Sequence, residues 1–128
     1  MVLSAEDVAN DRAALDELIA AVPLAVETRA AEGAVVYAGG EAHAVAAHPA
    51  AVVDATGAGD VFAAAYFVHL DEGGDPIAAA HIAVVAASLA IAGAGTSTIP
   101  TRAEIERALV SGAQSATQRA PDFPRAPA

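Results

Sequence analysis

Val52-Val53-Asp54-Ala55-Thr56-Gly57-Ala58-Gly59-Asp60-Val61-Phe62 decides how this chain is read. A short strand, Val52-Val53-Asp54, runs into a glycine-rich turn, and a helix starts at or near Gly59. Gly57 and Gly59 flank Ala58, so the backbone can turn sharply there. The free N–H groups of Gly57, Ala58, Gly59 and Asp60 point out of that helix N-terminus, at the positive end of its dipole, where an anion is favoured. A carboxylate inside an anion site should repel a phosphate. Asp60 fits as a general base that takes a proton from an incoming hydroxyl, while the neighbouring N–H groups stabilise charge on a transferring phosphoryl group. On these residues alone, Asp60 reads equally well as an ordinary helix-start carboxylate.

The rest of the composition narrows the chemistry. The chain has 128 residues, enough for one domain at most. All 6 basic residues are arginine, against 16 acidic ones, for a net charge of −10. Without lysine there is no P-loop lysine, no Schiff base and no protein-kinase phosphate lysine. Without cysteine there is no disulfide framework, zinc knuckle or thiol nucleophile. So acidic a chain is a poor partner for a nucleic-acid backbone. The positive mean hydropathy comes mostly from alanine. Pro76 to Thr101 carries no Asp, Glu, Lys or Arg, but only Ile77 to Ala92 is continuously helix-like. A membrane span needs about 20 strongly apolar residues, so this reads as a buried helix and not a membrane segment. The acidic start, Met1 to Asp7, lacks the apolar core of a signal peptide, which makes the cytoplasm the expected location.

Outward from the central stretch, the pattern alternates strands and helices. Ser4 with Asp7 predicts a helix start, and Leu15, Leu18, Ile19 and Val22 form one stripe that Pro23 ends. Leu24 to Thr28, Ala34 to Tyr37 and Glu41 to Ala47 read as strands, the last alternating weakly. The helix from about Gly59 to Leu70 is apolar on nearly every side and is expected to be buried, with Phe62, Tyr66 and Phe67 joining Tyr37 in the core. Asp75 and Pro76 open the next helix, which runs to about Ala92. Thr101-Arg102-Ala103-Glu104 is a capping box for a last helix. His43, His48, His69 and His81 show no metal spacing and read as structural or surface residues. The order suggests an α/β fold whose sheet is too small for its apolar helices. Residues 1–110 make one unit, and 111–128 read as a disordered Pro/Ala-rich tail.

Asp54-Ala55-Thr56-Gly57-Ala58-Gly59-Asp60 followed by Phe62 resembles the signature of the ribokinase/PfkB-type carbohydrate kinases, Asp-Thr-x-Gly-Ala-Gly-Asp-x-Phe. Upstream, Thr28 to Tyr37 resembles the family's Thr-x-Gly-x-x-Gly strand–turn–strand. Downstream, Gly93 to Thr101 resembles the loop before its last helix. The resemblance covers roughly residues 1–110 and implies the C-terminal portion of a three-layer α/β/α fold with an incomplete sheet.

It also implies ATP-dependent phosphorylation of a hydroxymethyl group on a sugar or nucleoside, with magnesium arriving on ATP. Asp60 would be the base, and Gly57, Ala58 and Gly59 the anion hole. Thr28, Arg29, Ala30, Ala31, Glu32 and Gly33 would contact the nucleotide with Gly59, Asp60 and Val84. Asp54, Thr56, Ala90, Gly93, Gly95 and Thr98 match positions around a potassium-type ion, mostly through backbone carbonyls. Three departures stand out. Ala30 replaces a glycine, Ala55 replaces a threonine, and the loop before the last helix is one residue shorter. The family's early Gly-Gly and Asn sugar residues, its β-strand lid (often a homodimer contact) and its Asn-x-x-Glu magnesium motif have no counterpart here. The chain therefore reads as the latter half of such a kinase, from which no measurable turnover is expected when it stands alone. The other reading is a catalytically inactive remnant that serves as a nucleotide-binding or interaction module.

Overall fold

The computed structural model describes residues 1–93 and 99–113. Four strands, β1 (Val2–Ser4), β2 (Leu24–Thr28), β3 (Ala34–Ala38) and β4 (Glu41–Val45), form one sheet in that order. β1 lies parallel to β2, with Val2 opposite Val26. The pairs β2–β3 and β3–β4 are antiparallel, with Val26 opposite Val36 and Val36 opposite His43. Among the described residues, four α-helices accompany them: α1 (Arg12–Ala20), α2 (Ala58–Asp71), α3 (Pro76–Ile91) and α4 (Arg102–Ala113).

The alternation of side chains along the strands sorts the core into two faces. Ala25, Val35 and Tyr37 pack with Leu3 against Leu15 and Ile19 of α1. Val26, Ala34, Val36 and Val45 face the other way, onto Phe62 and Tyr66 of α2 and Ala79, Ala80, Ala83 and Val84 of α3. The result is helix, sheet and helix in three layers, the α/β architecture expected, with a sheet of only four strands. The alanines of α3 let it approach the sheet closely, and eight of its residues are buried. Asp75 caps it, its Oδ1 accepting from the amides of Ile77 at 2.9 Å and Ala78 at 3.2 Å. At α4 the capping box forms in both directions: Thr101 N–H donates to Glu104 Oε2 at 2.6 Å, and Glu104 N–H donates to Thr101 Oγ1 at 3.3 Å.

Several sequence expectations need correction. Ser4 does not open a long helix. Its N–H donates to Asp7 Oδ2 at 2.7 Å, but the turn is a short 3₁₀ stretch, Ala5–Val8, that ends at left-handed Ala9 and Asn10. Asp11 restarts the chain as the cap of α1 by accepting from Ala13 and Ala14. β1 was absent from the sequence reading, because three residues show no period.

Val52-Val53-Asp54 is not a strand. The amides of Val53 and Asp54 both donate to the carbonyl of Ile91, at 2.8 and 3.1 Å, leaving none for a ladder, and both valines are exposed. α2 is not buried all round. Phe62 and Tyr66 are inside, but Phe67 is 50% and Val68 52% exposed, because the sheet covers only one face of the helix. α4 continues through Ala113, past the expected start of the tail, and 114–128 lie outside the described residues. Among the described residues, no helix is long and apolar enough to cross a membrane.

Candidate active site

The site is organised by the start of α2. Gly57 is the N-cap, with a left-handed φ of 78° and no capping side chain. Just before it, Asp54 Oδ1 accepts the N–H of Thr56 at 2.9 Å, and Ala58 N–H donates to Ala55 O at 3.2 Å. The first intrahelical bond runs from Val61 N–H to Gly57 O at 3.0 Å. The N–H groups of Gly59 and Asp60 thus precede the helical ladder, at the positive end of the dipole. Of the three expected anion-hole residues, Gly59 keeps its first-turn amide outside the ladder, whereas that of Ala58 is engaged by Ala55. A Cβ on Gly59 would meet nothing within 4 Å, so a ligand can approach its backbone.

Beside this turn lies a cavity of about 130 Å³. Its walls include Thr28 from the end of β2, Ala30 and Gly33 from the loop that follows, Ala58 and Gly59 from the glycine turn, and Val84 from α3. Six of the residues expected to hold a nucleotide or its phosphates are thereby brought together from three distant segments. Asp60 does not line this cavity. It lines a separate groove of about 570 Å³ bordered by α2, α3 and α4, and its side chain is exposed. Arg29, Ala31 and Glu32 are also outside the cavity's walls. Arg29 turns away to Glu27 on the α1 face of the sheet, with its Nη2 2.8 Å from Glu27 Oε2.

Backbone conformation accounts for the residue types in the loop. Ala30 has a φ of 48° and Gly33 a φ of 93°, so both stand in the left-handed region that favours glycine. The glycine-to-alanine departure at position 30 therefore leaves the turn in place and strains it. Thr28 Oγ1 donates to Leu3 O at 3.4 Å, which ties the loop to β1.

The residues tied to a monovalent cation are only partly described. Asp54 and Thr56 are held close to the C-terminus of α3 by the two amides on Ile91 O, next to Ala90 and Gly93. A helix C-terminus and a carboxylate together favour a cation. Gly95 and Thr98 lie outside the described residues.

Sequence reasoning missed five cavity residues: Ala47, Phe62, Ala87, Ser88 and Ile91. Three were within reach. Ala87, Ser88 and Ile91 follow Val84 at i+3, i+4 and i+7, on the same helix face. Ser88 Oγ donates to Val84 O at 2.8 Å, so its hydroxyl is satisfied within the helix.

A family model for pfkB family carbohydrate kinases matches residues 2–102. The chain belongs to that family. Among solved structures, this PfkB-family chain is similar to a ribokinase from Thermotoga maritima, at 27% identity and a TM-score of 0.72, covering 85% of this chain and 42% of that one. A nucleoside kinase from Burkholderia thailandensis in complex with inosine matches at 27% identity and a TM-score of 0.75, covering 86% of this chain and 39% of that one. A ribokinase from Arabidopsis thaliana, complexed with ribose and ATP, is 33% identical over 69% of this chain and 29% of its own, with a TM-score of 0.65. The PfkB-family chain thus spans about two fifths or less of the length of these kinases. A comparison with curated proteins gives no match. The fold is accordingly a portion of the ribokinase-like α/β fold, with an incomplete sheet.

Proposed function

We propose that this chain carries the nucleotide site and catalytic base of an ATP-dependent kinase that phosphorylates a hydroxymethyl group on a sugar or nucleoside. The observation that carries the reading is the convergence of Thr28, Ala30 and Gly33 with Ala58, Gly59 and Val84 around one cavity, with Asp60 on the adjoining turn. ATP supplies the phosphoryl group, accompanied by magnesium. The small residues of the cavity fit its phosphates, because Gly59 leaves its backbone open and the Gly59 and Asp60 amides face outward. Asp60 takes the proton from the attacking hydroxyl as the new O–P bond forms and the bond to the leaving diphosphate breaks. The same amides offset the charge that gathers on the transferring group. The Asp54 turn at the end of α3 is suited to a potassium-type ion. Residues 1–110 are the working unit in this reading. The relatives complexed with ribose and with inosine support a sugar or nucleoside acceptor.

The test is ATP turnover with ribose and with inosine, wild type against Asp60→Ala. Turnover that survives the substitution would remove Asp60 as the base. The position of Asp60 outside the cavity wall favours a second reading, a module that binds nucleotide without transferring phosphate. Calorimetry with ADP beside the turnover assay separates the two: binding without turnover selects the module.

A further inference from the structure

Among the described residues, Glu27 is the only charged residue in the buried core, at 2% exposure, and it lies two residues before Arg29, where the loop of the cavity wall begins. It projects from β2 onto the α1 face, opposite to Thr28, which faces the cavity. Its carboxylate is fully occupied. Oε1 receives Arg12 Nη1 at 3.0 Å from the start of α1. Oε2 receives Arg29 Nη2 at 2.8 Å and the Tyr37 hydroxyl at 2.8 Å from β3. Arg12 is also paired with Asp16 one turn along α1 at 2.7 Å, which ties the cluster to that helix.

A buried ion pair is a poor stabiliser in itself, because desolvation offsets most of the attraction and an apolar side chain would pack there as well. What an apolar residue could not do is hold Arg29. Arg29 begins a loop closed by three main-chain bonds: Arg29 N–H to Gly33 O at 2.8 Å, Glu32 N–H to Arg29 O at 2.9 Å and Gly33 N–H to Ala30 O at 3.1 Å. Within that loop Ala30 is forced into the left-handed region, a conformation that persists only where the surroundings over-determine it.

We propose that Glu27 is a positioning residue for this loop. From the far face of the sheet it grips Arg29 and fixes the Arg29–Gly33 turn in the shape that lines the cavity. The proposal rests on reading that cavity as the nucleotide site. It also gives Arg29 a different task from direct contact with phosphate.

Hydrogen–deuterium exchange on the full chain tests the tether, and calorimetric ADP binding tests its consequence. Glu27→Gln and Arg29→Gln should speed exchange at the amides of Arg29, Glu32 and Gly33 about tenfold, the scale of one lost charged hydrogen bond. Amides in β3 and β4 should keep wild-type protection, and ADP should bind about tenfold more weakly. Arg29→Lys, which keeps a cation within reach of Glu27, should recover most of both losses. Loop exchange that is unchanged, or that rises equally across the sheet, overturns the proposal, because Glu27 would then be merely structural. Loosened exchange with unchanged ADP affinity overturns it too. If the wild-type chain fails to bind ADP, the nucleotide reading falls, while the exchange arm still decides whether Glu27 holds the turn.

Discussion

Gly33 lies so close to the carbonyl oxygen of Val45 that a Cβ on Gly33 would overlap it. The loop that walls the cavity is therefore pressed onto the end of β4, and only a residue without a side chain permits the contact. Gly33→Ala adds a left-handed φ penalty of about 1–2 kcal/mol to an overpacking cost of about 1–3 kcal/mol. The expected loss is about 2–5 kcal/mol, read as a lowered urea midpoint at unchanged slope. Gly39→Ala has a φ of 59° but open space around it, and should lose only about 1 kcal/mol. Equal losses at the two positions would contradict the contact with Val45.

Ala30 invites the reverse substitution. Its φ of 48° costs an alanine about 1–2 kcal/mol. Glycine removes that strain but adds roughly 0.4–1 kcal/mol of unfolded-state entropy. Ala30→Gly should thus stabilise the chain by about 0.5–1 kcal/mol in the same urea titration. A destabilised variant would show that the methyl group contributes packing that outweighs the strain.

Tyr66 is buried between Phe62, at a centroid distance of 6.2 Å, and Phe67, at 5.7 Å. Among the described residues its hydroxyl has no hydrogen-bond partner. Burying an unsatisfied hydroxyl costs about 1–3 kcal/mol. Tyr66→Phe is expected to raise stability by about 1 kcal/mol, and thermal unfolding followed by circular dichroism would detect it. A lower transition temperature would mean that the hydroxyl is satisfied after all.

Acid should act through Glu27. Burial pushes its carboxyl up, but the hydrogen bonds from Arg29 and Tyr37 and the charges of Arg29 and Arg12 outweigh this and hold it below the ordinary value of 4.5. A carboxyl depressed in the folded state adds stability that is complete above its unfolded value and lost as pH falls through the folded one. Urea midpoints of wild type and Glu27→Gln, measured from roughly pH 7 to pH 3, should differ by a constant amount above 4.5 and converge below it. A difference that stays flat across the range would show that Glu27 does not contribute in this way.

The sequence made the centre of the molecule legible and left its edges obscure. The glycines at 57 and 59, the Asp75–Pro76 start and the Thr101–Glu104 box each depend on neighbours within a few residues, and the structure realises them locally. Leu24 to Thr28 was readable because its β-propensity and the bounding Pro23 agree. Several departures from the sequence expectation share a cause, a partner distant in the chain. Val53 and Asp54 lost their strand to one carbonyl at Ile91. β1 exists only because β2 pairs with it. Arg29, placed at the nucleotide by its position in a motif, is drawn off by Glu27, whose burial no local pattern announces. The division of the site has the same origin: Gly59 and Asp60 are adjacent in sequence but line two different hollows, a cavity and a groove.

The sheet's connectivity carries a kinetic consequence. β2, β3 and β4 are joined by short loops and pair in order, whereas β1 reaches β2 only across the whole of α1. Closing the longer loop loses more chain entropy before any contact rewards it. The three-stranded meander, which holds Gly33 and Val45, therefore assembles first, and β1 docks late. In a rate measurement, Val36→Ala should chiefly slow folding and Leu3→Ala should chiefly hasten unfolding.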